Sequence, residues 1–194
     1  RGLGDVYKRQ GNNSPIITTL ARVEKRKGHE FILNSLLEIK EKFPKVLYLI
    51  AGKGPYLENI KKITKELNLE HHVKFLGWIT EPEKSLILKL SDLFVMTPTT
   101  VGESVEGFGM AYIDASFHGV ASIGSDSGGV SDAILDNKTG IICESGNQKM
   151  ITEKILHLLE NKKLRESMGA NGKLRAKEKY AWDKKIIEYL DAYK

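Results

Sequence analysis

Short apolar runs alternate along the chain with longer stretches whose apolar residues recur every three to four positions. Ile16-Ile17-Thr18-Thr19-Leu20 is the first such run, and its β-branched content predicts a buried strand. A charged loop, 22–28, separates it from a predicted helix over 29–42. There Phe31, Ile32, Ser35, Leu36, Ile39 and Phe43 fall on one side, and Pro44 ends it. The alternation then repeats. Strands are predicted at 46–50, 73–76, 93–96, 121–123 and 141–143. Between them lie an amphipathic helix marked by Leu57, Ile60, Ile63 and Leu67, a short helix at 83–90, a helix running from Gly107-Phe108-Gly109 to about 118, and a short helix from Gly128 to Leu135. The tail is helical throughout, with helices expected over 148–160, 162–180 and 182–193.

Buried strands alternating with helices predict an α/β fold: a Rossmann-like parallel sheet of about six strands, helices on both faces, and a helical C-terminal tail. In such sheets ligands gather outside the carboxyl ends of the strands. The polar loops 22–28, 52–55, 77–81, 97–109 and 125–129 all follow strands, so all five should meet on that one edge.

Composition narrows the function. The 194 residues are 41% hydrophobic and 28% charged, which suits one globular domain with a sizeable core. The net charge of +5 suits an anionic ligand or surface, but the lysines are scattered over several helices and form no compact basic stripe interleaved with aromatics, so nucleic acid is not the expected partner. Cys143 is the only cysteine. It precludes an internal disulfide or a cysteine-based metal site, and beside Ile141 and Ile142 it reads as a buried strand thiol in a reducing compartment. No apolar run approaches the ~20 residues that span a bilayer.

The chemistry centres on Glu106-Gly107-Phe108-Gly109-Met110-Ala111-Tyr112-Ile113-Asp114. Two carboxylates stand eight positions apart around a helix start. Free N–H groups at such a start attract phosphate, and the flanking carboxylates can accept from hydroxyls, which suits a sugar nucleotide. A solvated acidic cap beside a glycine turn gives the same pattern, and these nine residues alone do not choose between the two. Arg22 and Lys27, five apart in the first loop, suit a diphosphate: one is a fixed fork, the other a mobile point charge. Glu24 could instead pair with one of them. Lys25 and Arg26 are expected to be solvated. Ser125-Asp126-Ser127 has no nearby histidine and reads as a turn, and neither His29 nor His118 has an identifiable acid partner. His71-His72 reads as a surface loop pair, and no cluster has metal-ligand spacing.

Taken in order, Arg22-x4-Lys27-Gly28, Ala51-Gly52-x-Gly54-Pro55, Phe75-Leu76-Gly77, Glu106-Gly107-Phe108-Gly109 with Asp114, and Ser127-Gly128-Gly129-Val130 resemble the C-terminal, donor-binding domain of the retaining family 4 glycosyltransferases, which have the GT-B fold. The resemblance covers roughly residues 14–194. It implies one half of a GT-B fold and transfer of a hexosyl group from a UDP- or GDP-sugar with retention. Arg22 and Lys27 would bind the donor diphosphate. Glu106 would contact donor-sugar hydroxyls, and the backbone at Gly107, Phe108, Gly109 and Met110 would donate to sugar and phosphates. Asp114 would hold the ribose, while Gly54, Trp78 and Ile79 would border the nucleotide. The resemblance also implies no metal and no cofactor beyond the donor, a glycan or lipid-linked acceptor bound by an N-terminal domain, and a role in cell-envelope glycan synthesis. A cytoplasmic location would follow, with a basic surface compatible with peripheral contact at the inner membrane face.

Asp114 departs from the family's usual Glu and is one methylene shorter, which bears on nucleotide affinity more than on reaction type. Two alternatives go with this reading: a nucleotide-sugar-binding module without transferase chemistry, and another GT-B enzyme such as a UDP-sugar epimerase. Residues 1–10 fit nothing downstream and read as an artefact or truncation remnant, with the domain occupying 11–194. The helix at 182–193 resembles the segment that crosses onto the N-terminal domain, leaving Trp182 and Tyr189 partly exposed.

Overall fold

A computed structural model describes residues 14–181, together with Ile186 and Leu190. The predicted remnant 1–10 lies outside the described residues. So does the helix expected over 182–193, with Trp182 and Tyr189, except that Ile186 and Leu190 are helical.

Among the residues described through Ala181, six strands and seven helices follow one another: β1 (Ile16–Leu20), α1 (His29–Lys42), β2 (Leu47–Ala51), α2 (Leu57–Glu66), β3 (Val73–Gly77), α3 (Glu81–Leu90), β4 (Leu93–Val95), α4 (Met110–Phe117), β5 (Ser122–Ser125), α5 (Val130–Ala133), β6 (Gly140–Cys143), α6 (Gln148–Glu160) and α7 (Lys162–Lys179). A single 3-10 turn, Lys25–Lys27, lies in the first loop. Boundaries shift from those predicted where a cap decides them. Helix α3 starts at Glu81 rather than 83 because Thr80 and Glu83 form a reciprocal capping box: the Glu83 carboxylate accepts from the Thr80 N–H at 2.7 Å, and Thr80 Oγ1 accepts from the Glu83 N–H at 3.4 Å. Helix α4 starts only at Met110, since Gly109 has φ 78° and cannot belong to a right-handed helix.

The strands form one parallel sheet in the order β3-β2-β1-β4-β5-β6. The order in which strands are added reverses between β1 and β4. Their carboxyl ends diverge there into a crevice, the usual ligand position in doubly wound sheets. Strands β1 and β2 are buried on both faces, which is why they read as continuous apolar runs rather than alternating ones. One face carries α1, α2 and α6 over Ile17, Tyr48 and Ile50; the other carries α3, α4 and α5 over Leu20, Phe94 and Met96, with α7 packed on α4. At the far edge Arg165 of α7 donates to the Leu158 and Leu159 carbonyls and to Asp92 at 2.9 Å, tying the helical tail to the amino end of the sheet.

Candidate functional site

The carboxyl edge of the sheet is held together by main-chain bonds between loops. Ala21 N–H donates to Ala51 O, Val23 N–H to Lys53 O, Gly52 N–H to Gly77 O, Thr99 N–H to Arg26 O and Gly129 N–H to Glu106 O. Two of the predicted glycine motifs exist for this contact. A Cβ on Gly128 would lie 1.9 Å from Glu106 O, and one on Gly52 would lie 1.8 Å from Ala21 O. Backbones cross at these points closely enough to exclude any side chain, so the loops form one rigid rim.

Over the crevice between β1 and β4, Lys27 donates to Glu106 Oε2 at 2.5 Å. Arg26 donates to the same oxygen at 3.0 Å and to Glu24 at 3.0 Å. Arg26 was expected to be solvated. Instead its side chain is 19% exposed, because the 3-10 turn folds it back over the Glu106 loop. The Lys27 and Glu106 side chains are 10% and 9% exposed. The carboxylate therefore sits in a nearly dry position with two cations on one oxygen. Beneath it, His29 is fully enclosed and its Nδ1 lies 2.9 Å from the Tyr48 hydroxyl, which is 2.9 Å from Thr19 Oγ1. Burial, reinforced by the Lys27 charge, pushes the His29 pKa down to about 4, so the ring is neutral at physiological pH.

Arg22 projects from the end of β1 with its side chain 69% exposed, and its Nε lies 3.3 Å from Glu24. It lines a cavity of about 330 Å³ with Leu20, Gly52, Lys53, Trp78, Ile79 and Lys84. The cavity rests on the ends of β1, β2 and β3. Trp78 is 63% exposed on its border. Of the residues expected around the nucleotide, Arg22, Trp78 and Ile79 line this cavity. Gly54 does not: it packs under the Val23 carbonyl. Lys53 and Lys84 line it and were not singled out in the sequence.

Gly107 and Met110 are exposed at the mouth of α4, and Gly109 is buried at its left-handed turn. Phe108 packs against Tyr180, ring centroids 5.6 Å apart, which steadies the loop from the side of α7. Tyr112 anchors the helix from below by donating to Met96 O at 2.5 Å. One turn further, Asp114 Oδ2 accepts from Lys84 at 3.1 Å. Lys84 also pairs with Glu81 at 2.8 Å. Burial lowers the Lys84 pKa, but its bonds to Glu81 and Asp114 outweigh that and leave it raised.

Cys143 is buried, and burial pushes its pKa up to about 12. Ser125 bonds the Pro98 carbonyl, and Asp126 Oδ1 accepts from Ser145 N–H at 2.6 Å, both turn contacts. His118 Nε2 lies 3.0 Å from Ser85 Oγ rather than near an acid. His71 is exposed, while His72 is half-buried, with Nδ1 3.0 Å from the Val46 carbonyl. Among the described residues no group of three or more His, Cys, Asp or Glu side chains is placed to hold a metal ion, and no helix is long and apolar enough to cross a membrane.

The strand ends and the rim of loops form a crevice on a doubly wound sheet, and comparison with known proteins gives the family. Residues 7–175 match the family described as glycosyl transferases group 1, and the chain belongs to it. A GDP-mannose-dependent alpha-(1-6)-phosphatidylinositol monomannoside mannosyltransferase of Mycolicibacterium smegmatis is 31% identical over 183 residues, 93% of this chain and 46% of that protein. Anabaena Alr3699/HepE, solved in complex with UDP and glucose, superposes with a TM-score of 0.81 at 20% identity, covering 99% of this chain and 53% of that one. The C-terminal domain of a glycosyl transferase group 1 family protein from Francisella tularensis superposes with a TM-score of 0.74 at 22% identity, covering 89% of this chain and 92% of that one. The chain thus spans about half the length of the curated relatives it matches.

Proposed function

We propose that this chain is the donor-binding half of a retaining glycosyltransferase that moves a hexosyl group from a UDP- or GDP-sugar to a glycan or lipid-linked acceptor. The observation that carries the reading is Glu106: a buried carboxylate clamped by Lys27 and Arg26 at the mouth of α4, beside a cavity lined by Arg22 and Trp78. The donor base would lie against Trp78 and Ile79. The diphosphate would cross from Arg22 to Lys27, under the free N–H groups that start α4. When it arrives, Lys27 turns toward phosphate oxygens, and Glu106, still held by Arg26, accepts from hydroxyls of the sugar.

Charge develops on the leaving diphosphate as the glycosidic bond breaks. Arg22 and Lys27 would neutralise it, which lets the reaction run without a metal. The M. smegmatis relative takes GDP-mannose and HepE was solved with UDP, so the base stays open between the two. The acceptor would enter from a second domain facing this edge, on the cytoplasmic side of the membrane, in cell-envelope glycan synthesis. The test is to join the chain to an N-terminal acceptor domain and follow sugar release from UDP- and GDP-hexoses, with the anomeric configuration of the product read by NMR. Turnover with retention, lost in Glu106→Ala, is the expected result. Inversion, or full turnover in Glu106→Ala, contradicts the reading.

A further inference from the structure

Arg26 ties together both ends of the loop that carries Glu106. Its carbonyl accepts from the Thr99 N–H at 2.7 Å, near the start of that loop. Its guanidinium closes on the other end: Nη1 donates to Glu106 Oε2 at 3.0 Å and reaches the Val105 carbonyl at 3.4 Å. Nε donates to Glu24 Oε2 at 3.0 Å, which fixes the planar fork from its own loop. Between the two anchors, the main chains of Val101 and Ser104 bond to each other. One residue of the first loop therefore holds the Glu106 loop at its entry and at its exit.

Lys27 faces two demands. In the free site it donates to Glu106 Oε2, and both side chains are nearly enclosed. A diphosphate needs the same ammonium for its own oxygens. Were Lys27 the sole partner, its departure would leave a nearly dry carboxylate unpaired, a cost that opposes binding. Arg26 sits on the same oxygen, so the acid stays paired when Lys27 leaves. Both bonds fall on Oε2, and Oε1 takes no hydrogen bond from the described residues. Glu106 can thus keep Arg26 and still accept from a ligand hydroxyl.

We infer that Arg26 is a positioning residue: it acts on the donor through Glu106, keeping that carboxylate paired and in place while the diphosphate draws Lys27 away. It thereby raises nucleotide affinity without touching the nucleotide. The inference rests on the donor-binding reading above and adds the residue that lets the Lys27–Glu106 pair open.

The test is isothermal titration of UDP and GDP into the 194-residue chain as wild type, Arg26→Met, Glu106→Gln and the double variant, each shown folded by circular dichroism. For the better nucleotide, Arg26→Met should bind about tenfold more weakly, the scale of one hydrogen bond to a charged group. Glu106→Gln removes the charge that Lys27 must desert. In that background Arg26→Met should change affinity by less than about twofold, so the two effects are strongly non-additive. Arg26→Lys keeps a cation beside the acid and should recover most of the loss. Glu106→Gln alone should bind the diphosphates, which carry no sugar, at least as tightly as wild type; this result stands even if Arg26→Met fails to fold, and weaker binding overturns the inference. Equal losses from Arg26→Met in both backgrounds overturn it in favour of a direct phosphate contact or a purely structural tie. No loss in either background overturns it and leaves the nucleotide site in place. No binding of either nucleotide to the folded wild-type chain removes the donor-site reading itself, and this inference with it.

Discussion

Lys27 and Glu106 are 79 positions apart in the chain and 2.5 Å apart in the fold. The loops after β1 and β4 place them on either side of the point where strand order reverses. Each is buried, and each is a group the proposed reaction uses. Arg26 joins them on the same oxygen, which makes the cluster asymmetric: two cations share one acid.

That asymmetry predicts unequal costs. Glu106→Ala strands two cations in a nearly dry position and should destabilise the chain by roughly 3–5 kcal/mol. Lys27→Met leaves Glu106 still paired with Arg26 and should cost distinctly less. Urea denaturation of the two variants checks the order. Equal losses would show that Arg26 does not share the load.

Arg22 predicts the opposite combination. It is largely exposed, so Arg22→Ala should change folding stability by no more than about 0.5 kcal/mol. Nucleotide affinity should nevertheless fall at least tenfold, roughly the scale of a charged hydrogen bond to phosphate. A melting curve and a titration on one sample separate the two effects.

The crossing of the Ser127-Gly128 loop over Glu106 is a steric prediction. Gly128 has φ 60° and no room for a Cβ, whereas Gly146 has φ 78° and nothing within 4 Å. Gly146→Ala should cost about 1 kcal/mol, the conformational term alone. Gly128→Ala should cost more than that and also weaken nucleotide binding, because relief of the clash moves the Glu106 backbone. Equal stability of the two variants would contradict the packing described.

His29 predicts a pH dependence. Its pKa is near 6.5 in the unfolded chain and about 4 when folded, so below pH 6.5 the unfolded chain binds the extra proton. Its effect is absent above pH 6.5. Stability falls as pH drops from 6.5 toward 4, by up to roughly 3 kcal/mol at about 1.4 kcal/mol per unit. His29→Leu should flatten that part of the curve of urea midpoint against pH. A variant whose slope matches the wild type between those values would remove His29 as the cause.

Much of this was legible in the sequence because strand burial and helix periodicity are local. Ile16 to Leu20 and Leu47 to Ala51 declare themselves by β-branched and apolar content, and five polar loops following strands can only meet on one edge of a parallel sheet. The pairing of charges was not legible. Arg26 reads as one more solvated cation until the 3-10 turn places it beside an acid 80 positions away. Lys84 falls in the short helix predicted at 83–90 and carries no signal of its own until α3 and α4 bring it to Asp114, 30 positions on. Which cation meets which acid is set by the register of elements that touch only in three dimensions. The capping box at Thr80 and Glu83 was visible in the sequence, and weighing it would have placed the start of α3 correctly.

The most direct test of the donor-site account is calorimetric titration of the folded chain with UDP, GDP and their hexose conjugates. The account predicts saturable binding of at least one nucleotide, with its conjugate binding at least as tightly, and loss of both in Arg22→Ala. A folded chain that takes up none of them, or that binds equally well without Arg22, would contradict it.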